Sequence, residues 1–197
     1  MTVGIIIAVI VVILIGLFII LYNNLVKART YTQESWSQIN VQLKRRNDLI
    51  PNLVSTVQGY ASYEKSTLSK VVELRNQLVS VTDNPQASAT DRAQTMALSD
   101  QLSSQLKSVF ALSESYPDLK ASAEFTKLME ELTNTENKIA YSRQLYNSSV
   151  ASYNMKLQTF PSDLVASMTS FKEATYLQVP EEETKTPDVS FKKYEDL

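Results

Sequence analysis

Four charged side chains sit in this sequence where apolar ones are expected. Arg46 falls in the row Leu25, Thr32, Ile39, Arg46, Leu53, Tyr60, Thr67, Leu74, and Glu64 in the row Trp36, Leu43, Ile50, Val57, Glu64, Val71, Leu78. Glu136 and Arg143 fall in Met129, Glu136, Arg143, Val150, Leu157. A charge on a core row is costly unless it is paired. Glu136 and Arg143 stand two turns apart on one helix, so each needs a partner on another; Arg46 and Glu64 are the candidates. Such pairs either fix helix register or act as a switch or ligand contact, and register fixing is the simpler reading.

Conventional catalytic chemistry has little to work with. The chain has no cysteine and no histidine, which excludes disulfides, Cys/His zinc sites, thiol nucleophiles and His-based triads. Three glycines and no phosphate-loop, dinucleotide or nucleophile-elbow motif leave nothing to cradle a nucleotide or a Ser nucleophile. A di-iron bundle needs Glu-x-x-His pairs. Adjacent carboxylates such as Glu130 and Glu131 face different ways on a helix, as on a solvated face. The expectation is a protein that is not an enzyme, with no catalytic residues, no cofactor and no metal.

Charge adds a second feature. The net charge is −2, and no global signal points to nucleic acid. Residues 22–82 carry a balance of +4, whereas residues 180–197 carry −3. Lys44, Arg45 and Arg46 form a basic patch that suits a solvated face, an acidic partner or anionic lipid. About 20 residues past the apolar run, a straight helix would hold it ~30 Å from the membrane, too far for lipid contact without a bend.

These residues must be positioned by long helices on an anchor. Val3 to Leu21 contains no charged or strongly polar side chain. As a helix it reaches ~28 Å, close to the hydrocarbon thickness of a bilayer. No basic residue precedes it and no A-x-A site follows, which argues against a cleaved signal peptide. Tyr22 suits the interface, and Lys27 and Arg29 just beyond it place the C-terminal domain in the cytoplasm and the N-terminus outside. The expected location is a single-pass protein of the bacterial cell membrane, with residues 1–21 as anchor, 22–177 as helical bundle and 178–197 as a disordered acidic tail.

Past the anchor, the first two rows form one stripe whose phase survives Pro51 and Gly59, predicting one long bent helix. The alternatives are a break at Pro51, or one at Gly59 with Ser62 capping the next helix. Thr82-Asp83-Asn84-Pro85 is a stop. A second helix is expected from Thr90, as cap, to Glu114, a turn at Ser115-Tyr116-Pro117-Asp118, and a third helix from Leu119 to Thr159 with the row Phe125, Leu132, Ile139, Tyr146, Tyr153, Phe160. Ser162 is the expected cap of a short amphipathic helix; it could lie on the membrane, but the lack of flanking Lys/Arg and Trp makes packing on the bundle the expectation. The fold class is therefore all-α, an antiparallel long-helix bundle behind a transmembrane helix. Sustained heptads also suit a coiled coil between subunits. A ~60-residue first helix would outrun a second of under half that length, leaving apolar seam uncovered and implying a homo-oligomer.

Several stretches resemble the LemA family of bacterial membrane proteins: Tyr22-Asn23-Asn24-Leu25-Val26, the run from Trp36 to Val54, Gly59-Tyr60-Ala61 with Glu64, Thr135-Glu136-Asn137-Lys138-Ile139-Ala140 with Arg143, Tyr146-Asn147, Tyr153-Asn154, Phe160-Pro161-Ser162 and Phe171-Lys172-Glu173-Ala174 with Tyr176. The resemblance covers residues 1–177, leaves the tail outside, implies an up-and-down four-helix bundle on an N-terminal span, and brings no catalytic residues. Two departures stand out: Tyr63 lies where such sequences often have His, and Met168-Thr169-Ser170 lacks the glycine commonly found before Phe171. The functional expectation is a non-enzymatic, membrane-anchored scaffold that self-associates and organises membrane or partner proteins, with the tail as a docking element. The alternative is a membrane-tethered adaptor that transmits change through a kinked helix at Pro51 and Gly59.

Overall fold

The structure, a computed structural model, describes residues 1–61, 64–82 and 87–178. The expected cap at Ser62, the departure at Tyr63, the turn at Asp83-Asn84-Pro85 and the tail from residue 179 lie outside these residues. Among the described residues every regular element is helical: α1 Thr2–Tyr60, α2 Lys65–Thr82, α3 Ala89–Ser113, α4 Pro117–Lys120, α5 Ala123–Gln158 and α6 Ser162–Met168.

Helix α1 starts at Thr2, just ahead of the apolar run, and continues without a break into the body. Its residues 2–15 are exposed all round, which excludes a soluble core helix as their explanation. From Leu25 onward one face turns inward, burying Leu25, Ile39, Leu43, Ile50, Leu53 and Val57. Pro51 lies inside α1 and does not end it. Proline has no N–H, so the carbonyl of Asn47, one turn earlier, loses its usual donor. Arg75 of α2 supplies one, its Nε donating to that carbonyl at 3.3 Å.

The long bent helix expected over 22–82 is two helices. α1 closes at Tyr60, with the Ala61 N–H still bonded to the Val57 carbonyl at 2.8 Å, and α2 begins afresh at Lys65. The stripe kept its phase because both helices face one core: Leu68, Val71, Leu74 and Leu78 of α2 join the α1 residues there. Helix α2 packs back on α1 and on α3, and α1 packs along α5. The seam that seemed to need another subunit is thereby covered within the chain.

Helix boundaries also moved. Ser88, not Thr90, caps α3: its hydroxyl accepts from the Asp91 N–H at 3.2 Å while the Asp91 carboxylate accepts from the Ser88 N–H at 2.8 Å. This reciprocal box satisfies two donors that a helix start otherwise leaves open. The turn at 115–118 runs into the short α4, and α5 starts at Ala123 behind the cap Ser122, whose hydroxyl accepts from the Phe125 N–H at 3.4 Å. Ser162 does not cap α6; its hydroxyl lies 2.6 Å from the Lys156 carbonyl and 2.7 Å from that of Thr159, behind it in the chain.

Helix α6 ends in a left-handed residue. Ser170 has φ 58°, and the Phe171 N–H reaches back to the Ala166 carbonyl at 3.3 Å. That is the bond of a Schellman close, whose left-handed position favours glycine.

Candidate functional site: a polar interior and a strapped cleft

Helices α1 and α5 run antiparallel in steady register. Thr32 Oγ1 lies 3.5 Å from the Ser149 carbonyl, Trp36 meets Tyr146, and Arg46 meets Glu136. Helix α3 stands off from α5, with side chains bridging the space. The polar interior lies in that space.

Arg46 is its centre, with 0 % of its side chain exposed. Nη1 donates to Glu136 Oε2 and to Ser103 Oγ, both at 2.9 Å; Nη2 donates to Ser99 Oγ at 2.9 Å and approaches the Ser99 carbonyl at 3.4 Å. Ser103 Oγ in turn donates to Glu136 Oε1 at 2.7 Å. Desolvating an ion costs several kcal/mol, more than the ~2 kcal/mol that burying one leucine returns, so this residue needs every partner it has. Burial pulls the Arg46 pKa down and the Glu136 carboxylate pulls it back. Glu136 keeps 41 % of its side chain in contact with solvent and so loses less of its hydration than Arg46 does.

Arg143 extends the network. It pairs with Asp100 and also donates to Ser99 Oγ at 3.3 Å, so one serine of α3 joins both arginines. Nε of Arg46 and Nε of Arg143 are buried without a protein partner. Arg92 of α3 forms a second group, its guanidinium 5.3 Å from the Trp36 ring centroid and its Nη1 donating to Tyr146 OH at 3.0 Å. The Trp36 and Tyr146 rings meet edge to face at 5.9 Å.

The structure thus joins three of the four expected core-row charges. Glu64 is elsewhere: it lies between α1 and α2, and Tyr116 OH donates to it at 3.4 Å. That carboxylate and partial desolvation push the Tyr116 phenol above its ordinary value, desolvation being the larger cause. The basic patch also divides, since Lys44 and Arg45 are exposed while Arg46 turns inward. Gly59 lies in the last turn of α1, and Pro51 lies about one and a half turns beyond Arg46.

Past α6, residues 171–178 form an extended strap along α5. Asn154 holds Ala174 on both sides, donating to its carbonyl and accepting from its N–H, each at 2.9 Å. Asn147 does the same for Leu177 at 3.0 and 2.9 Å. Tyr153 OH donates to the Lys172 carbonyl at 3.0 Å and Tyr146 OH to that of Thr175 at 3.2 Å. Each Tyr–Asn doublet therefore grips one three-residue step of strap by backbone alone. Along the strap lies a cavity of about 500 Å³ reaching Arg92, Met96 and Asp100. At its end, by Leu177 and Gln178, a cavity of about 670 Å³ opens between α3 and α5, lined by Lys107, Glu136 and Arg143.

Sequence reasoning missed Ser99, Ser103, Asp100, Arg92 and the strap. Two serines four apart beside the leucine stripe of α3 were the available signal for the first pair. The Tyr–Asn doublets were visible, but nothing marked their partner as an extended segment.

The LemA family profile matches residues 35–191, so the match runs past Gln178 into the stretch expected to lie outside it. Protein LemA of Metamycoplasma hominis is 28 % identical over 180 residues, covering 89 % of this chain and 79 % of that protein. Magnetosome protein MamQ of Magnetospirillum gryphiswaldense is 26 % identical over 173 residues, covering 79 % of this chain and 64 % of its own length. Magnetosome protein MamQ 2 of Paramagnetospirillum magneticum is 26 % identical over 175 residues, covering 80 % and 64 %. With a profile match over most of its length, and with the Trp36, Arg46, Glu136 and Tyr–Asn positions inside it, the chain belongs to the LemA family.

Proposed function

We propose that this chain is a non-enzymatic, membrane-anchored scaffold, built as an up-and-down four-helix bundle of α1, α2, α3 and α5, which organises partner proteins at a bacterial cell membrane. The observation that carries this reading is the continuity of α1. The exposed apolar run and the central stave of the bundle are one helix, so the body is held at a set height and angle to the bilayer. Lys27 and Arg29 next to the span favour a cytoplasmic body. The interior charges satisfy one another, Arg46 with Glu136 and Arg143 with Asp100, which suits a structural role rather than acid–base work. Relatives named for the magnetosome favour a place in an organised assembly over a metabolic reaction.

Self-association is part of the proposal but moves to a different surface. The heptad stripe is covered inside the bundle, so copies meet through the exposed span, and partner proteins meet the α3–α5 cleft or the acidic tail. Mass photometry of the full-length protein in nanodiscs tests the first point. Particles of several copies are expected, and monomers at every concentration would overturn it.

A second reading, a tethered adaptor, is favoured by the Arg75 bond to the Asn47 carbonyl. It ties α2 to α1 one turn before Pro51, so movement of the membrane end of α1 reaches α2 directly.

A further inference from the structure

The end of the body nearest the span carries an apolar face that nothing in the fold covers. Val165 and Ala166 of α6 are buried against Leu25, with Phe18 and Leu21 packed on the same cluster. Phe18 and Leu21 belong to the last turns of the apolar run, so α6 sits at the depth where α1 leaves the hydrocarbon. The opposite side of α6 faces away from the body. Leu164 and Met168, one turn apart, are 55 % and 75 % exposed, and Phe160 just before the helix is 75 % exposed. Three large apolar side chains gathered at one end of a soluble body mark a contact surface.

We infer that α6 lies in the interfacial layer of the same bilayer that α1 spans, with Phe160, Leu164 and Met168 inserted among the lipids as a second anchor. The inference rests on the reading of Val3 to Leu21 as a membrane span. What identifies the occupant is continuity: the patch adjoins the span itself, on the helix packed against the span's last turns. Charge agrees with an anionic phospholipid surface. Lys27, Arg29, Lys156 and Lys172 are exposed around this end, against the carboxylates of Asp163 and Glu173, the latter accepting from Gln158 Nε2 at 2.7 Å. Phe171 fixes the level, its ring edge to face with Tyr22 at 5.7 Å and under the Arg29 guanidinium at 5.2 Å. Aromatic rings and cationic side chains are the groups that settle at a headgroup boundary. An amphipathic segment lying in that plane buries its apolar face at the boundary of headgroups and acyl chains. The body is then held at two points and cannot pivot about the span.

The absence of native cysteine makes the test direct. Full-length variants Leu164→Cys, Met168→Cys, Ile10→Cys and Tyr141→Cys, all at exposed positions, are spin-labelled and reconstituted in phosphatidylcholine vesicles containing phosphatidylglycerol. Electron paramagnetic resonance compares collision with oxygen and with a water-soluble nickel complex. The label at 10 should be deep, those at 164 and 168 shallow but shielded from nickel, and that at 141 fully aqueous. Aqueous labels at 164 and 168 beside a deep one at 10 would overturn the second anchor and leave the span intact. An aqueous label at 10 would overturn the span reading and this inference with it.

Discussion

Asn147 and Asn154 stand seven residues apart on α5, and each hydrogen-bonds both backbone groups of one strap residue, Leu177 and Ala174. The spacings agree for a geometric reason. Seven helical residues rise ~10.5 Å and three extended residues cover ~10 Å. A heptad on the helix therefore matches a three-residue step on an antiparallel strap, and the grip repeats without reading any strap side chain.

Asn154→Ala removes two of these bonds, each contributing ~1 kcal/mol. Amide hydrogen exchange should quicken at Ala174 and then at Leu177, while Ile139 and Val150 in the middle of α5 keep their protection. Equal loss of protection in α5 would show that the strap and the bundle open together, against this account.

The Arg46–Glu136 pair should respond unequally to its two halves. Glu136→Leu strands a fully buried guanidinium and should cost ~3 kcal/mol. Arg46→Met leaves a carboxylate that already meets water and fills the core with an apolar chain, so its cost should stay within ~1 kcal/mol. Urea unfolding of the two variants in detergent decides it, and the reverse order would refute the asymmetry.

Arg75 and Pro51 should be coupled. In the native chain Arg75→Ala deprives the Asn47 carbonyl of its donor. In a Pro51→Ala background residue 51 supplies an N–H of its own, so the same change should cost ~1 kcal/mol less. A double-mutant cycle with no coupling energy would mean that the Arg75 contact is incidental.

Ser170→Gly should stabilise the protein by ~1 kcal/mol, since a left-handed serine carries a strain that glycine avoids. The melting temperature should rise, and a fall would show that the Ser170 side chain contributes more than its backbone costs.

The capping box at the start of α3 gives a pH dependence with a fixed sign. Backbone and hydroxyl hydrogen bonds from Ser88 hold the Asp91 carboxyl below its ordinary value of 3.8. A carboxyl depressed in the folded state stabilises it above the unfolded value, and the contribution is lost as pH falls through the folded one. Asp91→Asn should therefore lower the urea midpoint at neutral pH, and the difference should close in acid below the ordinary carboxylate range. A gap that widens in acid would contradict the box.

Much of this architecture was legible in the sequence, and the exceptions have physical causes. Apolar heptads disclosed α5 and the part of α1 from Leu25 onward because each buries one face throughout. They also flagged Arg46, Glu136 and Arg143 as misplaced charges, though not Asp100, which lies outside any core row. The break after Tyr60 was one of the alternatives the sequence offered at Gly59, but periodicity could not choose it over a bend, because α1 and α2 face one core from two sides and the phase of the stripe does not change. Ser88 lost to Thr90 because both precede Asp91 within reach of a helix start, and only geometry tells them apart. The strap had no period to detect, since asparagine side chains recognise its backbone and not its sequence.

One consequence of an unbroken α1 concerns compass bearing rather than strength. Each residue added to a helix turns whatever follows by ~100° and lifts it ~1.5 Å. The number of residues between Leu21 and Leu25 therefore decides which face of the span's last turns meets α6. A single insertion there would turn Phe18 and Leu21 away from Val165 and Ala166, undoing the cluster that ties α6 to the span while leaving the bundle beyond it intact.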